Sequence, residues 1–126
     1  MTDDSFDLDA AGLRADGVDV AAYVEVLARR LQDALPAETE VRRRAKRLLS
    51  REQVVEAIEV TLGTHRYALR RDRRGVEATR AKEVRGVVIK REQLELSAWV
   101  DGLTAELGEL AADSSRAREA FERLML

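Results

Sequence analysis

Arginine dominates one short stretch of the chain. Residues 64–75, THRYALRRDRRG, contain five arginines, the only histidine and one of the two tyrosines. Guanidinium groups at this density suit phosphates and carboxylates, because each presents several hydrogen-bond donors in one plane. The same residues equally suit the solvent-facing side of a β-hairpin, where cross-strand ion pairs neutralise them. Which interpretation applies depends on the elements that carry the arginines.

Other side chains able to do chemistry are few. The absence of cysteine excludes disulfides, thiolate nucleophiles and zinc sites built on sulfur. A histidine-based metal site lacks a second imidazole beside His65. Partial matches to a calcium loop at Asp7 and to a phosphate loop at Gly12 and Gly17 each lack required residues. We therefore expect a non-enzymatic protein without metal or cofactor, and an enzyme that uses carboxylates stays open as a third hypothesis.

Charge is strongly segregated along the 126 residues. The net charge is −6 over residues 1–38, +9 over residues 39–91 and −5 over residues 92–126, so a basic block lies between two acidic ones. The apolar fraction of 45% is ordinary for a folded protein, and the length fits one domain. Thinly spread apolar residues predict an acidic extended or disordered arm over 1–15 and a single domain over 16–126.

Two regions show helical periodicity. From Asp19, a potential N-cap, apolar residues recur at three- and four-residue steps until Pro36, which predicts a helix over about 19–35. Ser97 is a potential cap for a second helix, and Asp113-Ser114-Ser115 interrupts it or caps a third. The apolar stripe of the second helix consists of Trp99, Val100, Leu103, Leu107 and Leu110.

The basic block shows the alternation of β-strands. A two-residue turn at Gly63-Thr64 places Leu62 opposite His65 and aligns Val60 with Tyr67. A second hairpin loop at 72–75 uses Gly75 for a positive φ and aligns Leu69 with Ala78. Residues 41–49 are predicted as a first strand, with Arg44 beside Glu59 and Arg47 beside Glu56. Residues 84–90 are predicted to continue the last strand, bent or bulged near Gly86.

Together these elements predict an α+β fold. An N-terminal helix precedes an antiparallel meander of about four strands and a C-terminal helix or helix pair, with the helices on one sheet face. The other face is expected to be open or covered by a second copy. This order is loosely similar to that of small α+β secretion-chaperone and adaptor domains, which commonly dimerise and bind a protein segment, although no motif carries the likeness.

The predicted registers bring arginines to the sheet face opposite the helices. Three interpretations stay open: a solvated face with ion pairs, an anion- or nucleic-acid-binding surface, and a face covered by acidic helices of a partner. Tyr67 is predicted to point into the core, so this face lacks aromatic rings on which bases stack. The candidate basic face consists of Arg42, Arg44, Arg66, Arg70, Arg73 and Arg74.

Val87, Val88 and Ile89 indicate an interface between copies. Adjacent residues of a strand face opposite ways, so one side of this run needs cover from a helix or another chain. Trp99 belongs to the core or, if exposed, to the same interface.

The sequence thus favours a small cytoplasmic interaction or adaptor module. We expect a homodimer that binds an unknown protein partner and lacks a transmembrane segment or secretory signal. The alternative is binding of nucleic acid or an anionic surface through the basic sheet face, which the acidic flanks disfavour.

Overall fold

The computed structural model describes residues 17–72 and 75–126. The predicted α+β class is confirmed, because a helix, an antiparallel sheet and two further helices follow one another along the chain. The predicted arm over 1–15 lies outside the described residues. The elements are α1 (Gly17–Ala34), β1 (Thr39–Ala45), β2 (Gln53–Leu62), β3 (His65–Asp72), β4 (Gly75–Val84), β5 (Val87–Leu94), α2 (Leu96–Ala111) and α3 (Ser115–Met125).

The helices lie on one face of the sheet and enclose the core with it. The apolar stripe of α1 buries Val24, Leu27 and Leu31 against the sheet. The α2 stripe buries Trp99 and Leu103 in the same core, and α3 packs against both other helices. None of the described helices combines the length and the apolar character needed to cross a bilayer.

The helix boundaries follow local capping chemistry. Ser114 precedes α3, and its hydroxyl accepts the N–H of Ala117 at 3.2 Å, so the predicted re-capping is confirmed. Helix α2 starts two residues earlier than predicted, with Glu95 at the N-cap position in place of Ser97 and no side-chain cap. Ser97 therefore lies in the first turn and does not cap the helix.

The two central hairpins have the predicted registers. Leu62 lies opposite His65 and Val60 opposite Tyr67, while Leu69 lies opposite both Ile58 and Ala78. These apolar partners face the helices, because strict alternation fixes which side of each strand is buried. The sheet order is β1-β2-β3-β4-β5, so β1 and β5 form its two edges.

The predicted register of the first strand is wrong. Glu40 lies opposite Glu59 and Arg44 lies opposite Val54, and the strand ends at Ala45, before Arg47. A register shift between Arg42 and Arg43 inserts an extra residue on β2, which is a β-bulge. The connection to β2 therefore spans residues 46–52 and is longer than the four-residue loop expected.

The prediction that residues 84–90 continue the last strand is also wrong. The chain reverses at Arg85-Gly86, where φ is 54° and 81°, and β5 returns antiparallel to β4. Positive φ at both central residues is the pattern of a type I′ turn. The sheet therefore has five strands, one more than expected, and Val87, Val88 and Ile89 lie on an edge strand.

Candidate functional site

The sheet face that the helices leave uncovered, called here the open face, carries rows of side chains set by the strand registers. In one row, Ala57 lies opposite both Arg42 and Arg70, and Arg70 lies opposite Glu77. The neighbouring rows consist of Glu40, Glu59, Ala68, Thr79 and Gln93, and of Thr61, Arg66, Ala81 and Arg91. Charged residues therefore surround small ones at the centre of the face.

Arg66 is neutralised within this face. One of its guanidinium nitrogens lies 2.9 Å from a carboxylate oxygen of Glu83, and another lies 4.0 Å from Glu59. The nitrogen that faces Glu59 is Nε, which is buried and has no hydrogen-bond partner among the described residues, so the closer contact is the ion pair with Glu83. For Arg66, this geometry matches the first interpretation, a solvated sheet face on which arginines form ion pairs with neighbouring strands.

Arg42, Arg44 and Arg70 differ from Arg66, because none of them forms an ion pair within residues 20–72 and 75–126. Arg42 and Arg70 flank Ala57 on neighbouring strands, so their Cα atoms are about 10 Å apart. The three guanidinium groups are thus available to carboxylates or phosphates of a ligand. Arg73 and Arg74 of the candidate basic face lie outside the described residues.

The centre of the open face is concave. Two clefts of about 390 and 480 Å³ meet at Glu59, Ala68 and Arg70, and we call their union the trough. Small side chains such as Ala68 and Ala81 form its floor, whereas arginines and glutamates form its walls. The residues that line it include no aromatic ring on which a base could stack.

The only histidine belongs to a polar cluster on the helix side of the sheet. The Nδ1 atom of His65 lies 2.8 Å from one carboxylate oxygen of Glu106, and the Tyr67 hydroxyl donates to the other at 2.6 Å. The Tyr67 hydroxyl also lies 3.1 Å from the carbonyl oxygen of Gly102. Both oxygens of Glu106 are thus occupied by groups of β3, and the cluster connects that strand to α2.

Burial, followed by the hydrogen bond to Glu106, raises the pKa of Tyr67 to about 12. The phenol therefore stays protonated and continues to donate at neutral pH.

Gly102 of α2 lies close to Arg80. The Arg80 guanidinium is 5.9 Å from the centre of the Tyr67 ring, and a Cβ atom at position 102 would approach that guanidinium to 3.0 Å. Gly102 thereby permits the close approach of α2 to the sheet, which is a structural role.

Edge strand β5 carries the predicted interface residues. The exposed fractions are 60% for Val87, 41% for Val88 and 58% for Ile89, all higher than expected for a core strand. An edge strand also presents unpaired N–H and C=O groups along its outer side. Three consecutive exposed apolar residues on such an edge form a surface suited to pairing with another strand.

Trp99 does not contribute to this surface. Its side chain is fully buried, its indole N–H donates to the carbonyl oxygen of Thr79 at 3.1 Å, and its ring meets Tyr67 edge to face at 5.8 Å between centres. Trp99 is therefore a core residue, and the candidate interface contains only Val87, Val88 and Ile89.

Glu25 is an organising residue that the sequence analysis missed. Its carboxylate accepts the N–H of Val55 at 2.6 Å and a guanidinium hydrogen of Arg43 at 3.0 Å, which binds α1 to the bulged pair β1–β2. Burial raises the pKa of Glu25, but these two hydrogen bonds and the nearby arginines together bring it below its ordinary value. A glutamate in an amphipathic helix gives no sequence signal for such a contact.

Within residues 17–72 and 75–126, no cluster of histidine and acidic side chains has the arrangement of a metal site. Comparison with protein-family models, with curated proteins and with solved structures found no match. Function therefore has to be inferred from the open face and from the two edges of the sheet.

Proposed function

We propose that the protein is a cytoplasmic, non-enzymatic interaction module that dimerises through β5 and holds an acidic segment of a partner protein in the trough. The observation that carries the proposal is the run Val87, Val88 and Ile89, exposed on an edge strand. Association through β5 would bury these apolar side chains, which is favourable, and would also give hydrogen-bond partners to the outer backbone groups of the strand.

A second copy of β5 is a better partner for this edge than β1 of another molecule. Pairing with β1 would bring Lys90 and Arg91 near the arginines of β1, which repel them. Such head-to-tail pairing would also leave a free edge at each end and extend without closing. Antiparallel pairing of β5 with itself is symmetric, closes as a dimer and places the apolar residues against one another.

The trough suits an acidic protein segment better than nucleic acid. Arg42 and Arg70 form no ion pair within residues 20–72 and 75–126, so their guanidinium groups can bind carboxylates. Glu59 and Glu77 repel any anion close to them. A peptide can place its acidic side chains at the arginines alone, whereas the phosphates of nucleic acid recur along the whole backbone. The alanine floor accepts apolar atoms of a peptide but provides no ring for stacking bases.

Dimerisation is tested by sedimentation equilibrium of two matched variants. Ile89→Lys introduces a charge at the two-fold contact, whereas Val26→Lys introduces one on α1 at a residue of similar exposure, 46%. We expect Ile89→Lys to raise the dissociation constant of the dimer about a hundredfold, because each copy loses apolar burial. Val26→Lys should behave as the wild-type protein. A wild-type monomer at tens of micromolar protein would contradict the proposed dimer.

Occupancy of the trough is tested by titration with a glutamate-rich peptide and, separately, with duplex DNA. The charge-reversed variant Arg42→Glu/Arg70→Glu should lose peptide binding, and Arg29→Glu, on the exposed side of α1, should retain it. Tighter binding of DNA than of peptide, with the steep salt dependence of phosphate contacts, would contradict a protein partner in favour of nucleic acid.

A further inference from the structure

Two leucines at the centre of the connection between β1 and β2 are almost fully exposed. The exposed fractions of Leu48 and Leu49 are 92% and 95%. The turn beneath them is well defined, because the N–H of Ser50 donates to the carbonyl of Arg47 at 3.0 Å and the N–H of Lys46 donates to that of Glu52 at 2.9 Å. Leu48 and Leu49 are thus the central residues of a tight turn at the end of a hairpin.

Local chemistry disfavours a leucine at position 49. Its φ of 65° lies in the left-handed region, and the third position of a turn with positive φ strongly favours glycine or asparagine. Neither backbone preference nor core packing therefore accounts for this residue. Departures from local rules of this kind concentrate at functional sites, where another requirement selects the side chain.

A cationic collar surrounds the two leucines. Residues 42–51 contain six basic side chains and no acidic one. Arg43 pairs with Glu25 and Lys46 pairs with Glu52, so two members are engaged within the fold. The others form no ion pair within the described part of the chain, and they are Arg42, Arg44, Arg47 and Arg51.

The collar residues that form no ion pair within the described part of the chain lie on both sides of the leucines in sequence. Arg42 and Arg44 lie on the open face of β1, and Arg47 and Arg51 lie in the connection itself. Positive charge around an exposed apolar tip complements an extended anionic plane that the tip enters end-on. A groove in a protein would instead meet the hairpin mainly along one of its faces.

We propose that this tip, residues 46–52, inserts Leu48 and Leu49 into the interface of an anionic lipid bilayer while the collar binds the headgroups. Apolar insertion together with a basic cluster is the two-signal combination that gives stable peripheral binding, and the cytoplasmic leaflet supplies the negative charge. The proposal requires neither the trough nor the β5 edge, so its failure would leave the proposed function untouched.

The test is co-sedimentation of the whole protein with two kinds of vesicle. One contains phosphatidylcholine alone, and the other also contains about 30 mol% phosphatidylglycerol. The wild-type protein should bind only the anionic vesicles, and binding should weaken as the salt concentration rises because the headgroup attraction is screened. Absence of binding to anionic vesicles at low salt would overturn the proposal and leave the leucine pair to a protein partner.

Three variants separate insertion from adsorption. Leu48→Ser/Leu49→Gly should lower the vesicle partition coefficient at least about tenfold, because the buried hydrocarbon is lost. The melting temperature should stay unchanged or rise, since glycine adopts the positive φ more easily. Arg47→Gln/Arg51→Gln should lower partition by about fivefold per charge. The control Leu126→Ser removes a leucine that is 90% exposed elsewhere and should bind as the wild type does.

A direct readout of insertion is the accessibility of a tryptophan at the tip. In Leu48→Trp, the introduced ring should be quenched by acrylamide in solution and protected on anionic vesicles, while buried Trp99 should change little. Vesicle binding without this protection, or binding by the double leucine variant that equals the wild type, would overturn insertion.

Discussion

The two edges of the sheet occupy equivalent places in the fold and have opposite chemistry. Strand β1 carries three consecutive arginines and pairs with β2 across a bulge, and α1 holds its helix-side residue Arg43 through Glu25. Strand β5 carries Val87, Val88 and Ile89, which are exposed. Charge and a bulge are the usual devices that prevent an edge from pairing with other chains.

The difference indicates that only one edge is protected against association. If both edges were exposed and apolar, copies would add at both ends and form chains. In the proposed dimer, protection of β1 together with an available β5 would limit association to two copies. The same arginines that protect β1 also supply Arg42 to the trough and part of the collar around Leu48 and Leu49.

The largest expected effect comes from removing the protection of β1. In Arg42→Val/Arg44→Val the edge loses two charges and gains two strand-forming side chains. We expect light scattering to detect species larger than the dimer at protein concentrations where the wild type stays dimeric. The matched change Arg29→Val on α1 should leave the mass unchanged. A double variant that stays dimeric would show that the charges of β1 do not control association.

Removing the carboxylate that holds β1 should destabilise the fold. Glu25→Ala leaves the N–H of Val55 without its acceptor and Arg43 without its ion pair. We expect urea denaturation to show a free energy of unfolding lower by about 2 kcal/mol. Glu25→Gln keeps an acceptor oxygen but no charge and should lose about half as much. An unchanged urea midpoint for Glu25→Ala would show that Glu25 does not hold β1 in place.

The contribution of Glu25 should depend on pH in one direction. Its folded-state pKa lies below the ordinary value of 4.5, so the carboxylate stabilises the fold fully above that value. The contribution is lost as the pH falls through the lowered pKa. The difference in melting temperature between the wild type and Glu25→Gln should therefore be constant near neutral pH and shrink in acid. A difference that grows in acid would contradict the assigned sign.

The smallest effect is expected at the other edge. Arg80 of β4 donates two hydrogen bonds to one oxygen of Glu92 on β5, at 2.8 and 3.0 Å, and this bond lowers the pKa of Glu92. The pair is solvent-accessible, so water replaces much of what the substitution Glu92→Gln removes. Urea denaturation should show that Glu92→Gln lowers the free energy of unfolding by less than Glu25→Gln does. An equal or larger loss would mean that β5 is held as firmly as β1.

The sequence predicted the regions where local rules act without interference. The alternation of apolar residues and the turn at Gly63-Thr64 predicted the β2–β3 register correctly. The loop that ends at Gly75 did the same for the β3–β4 register. Helical periodicity located α1 and the break before α3. The exposed run at Val87 was also visible, because two adjacent apolar residues cannot both face one core.

The errors lie where a distant residue or an unfavourable conformation decides the structure. The β1 register depends on a bulge supported by Glu25, which is far away in sequence, and alternation cannot detect it. The turn at Arg85-Gly86 places an arginine at positive φ, where asparagine or aspartate would have been the recognisable signal. Leu48 and Leu49 were predicted as the end of a strand because neither residue signals a turn, although Leu49 adopts a positive φ and both side chains are exposed.

The most direct test of an available β5 edge is hydrogen exchange of its backbone amides at two protein concentrations. Above the dissociation constant of the dimer, the outward amides of residues 87–90 should be protected, and dilution should release them while the amides of β1 stay unchanged. Protection of β5 that does not depend on concentration, or concentration-dependent protection of β1, would contradict the account in which β5 alone joins two copies.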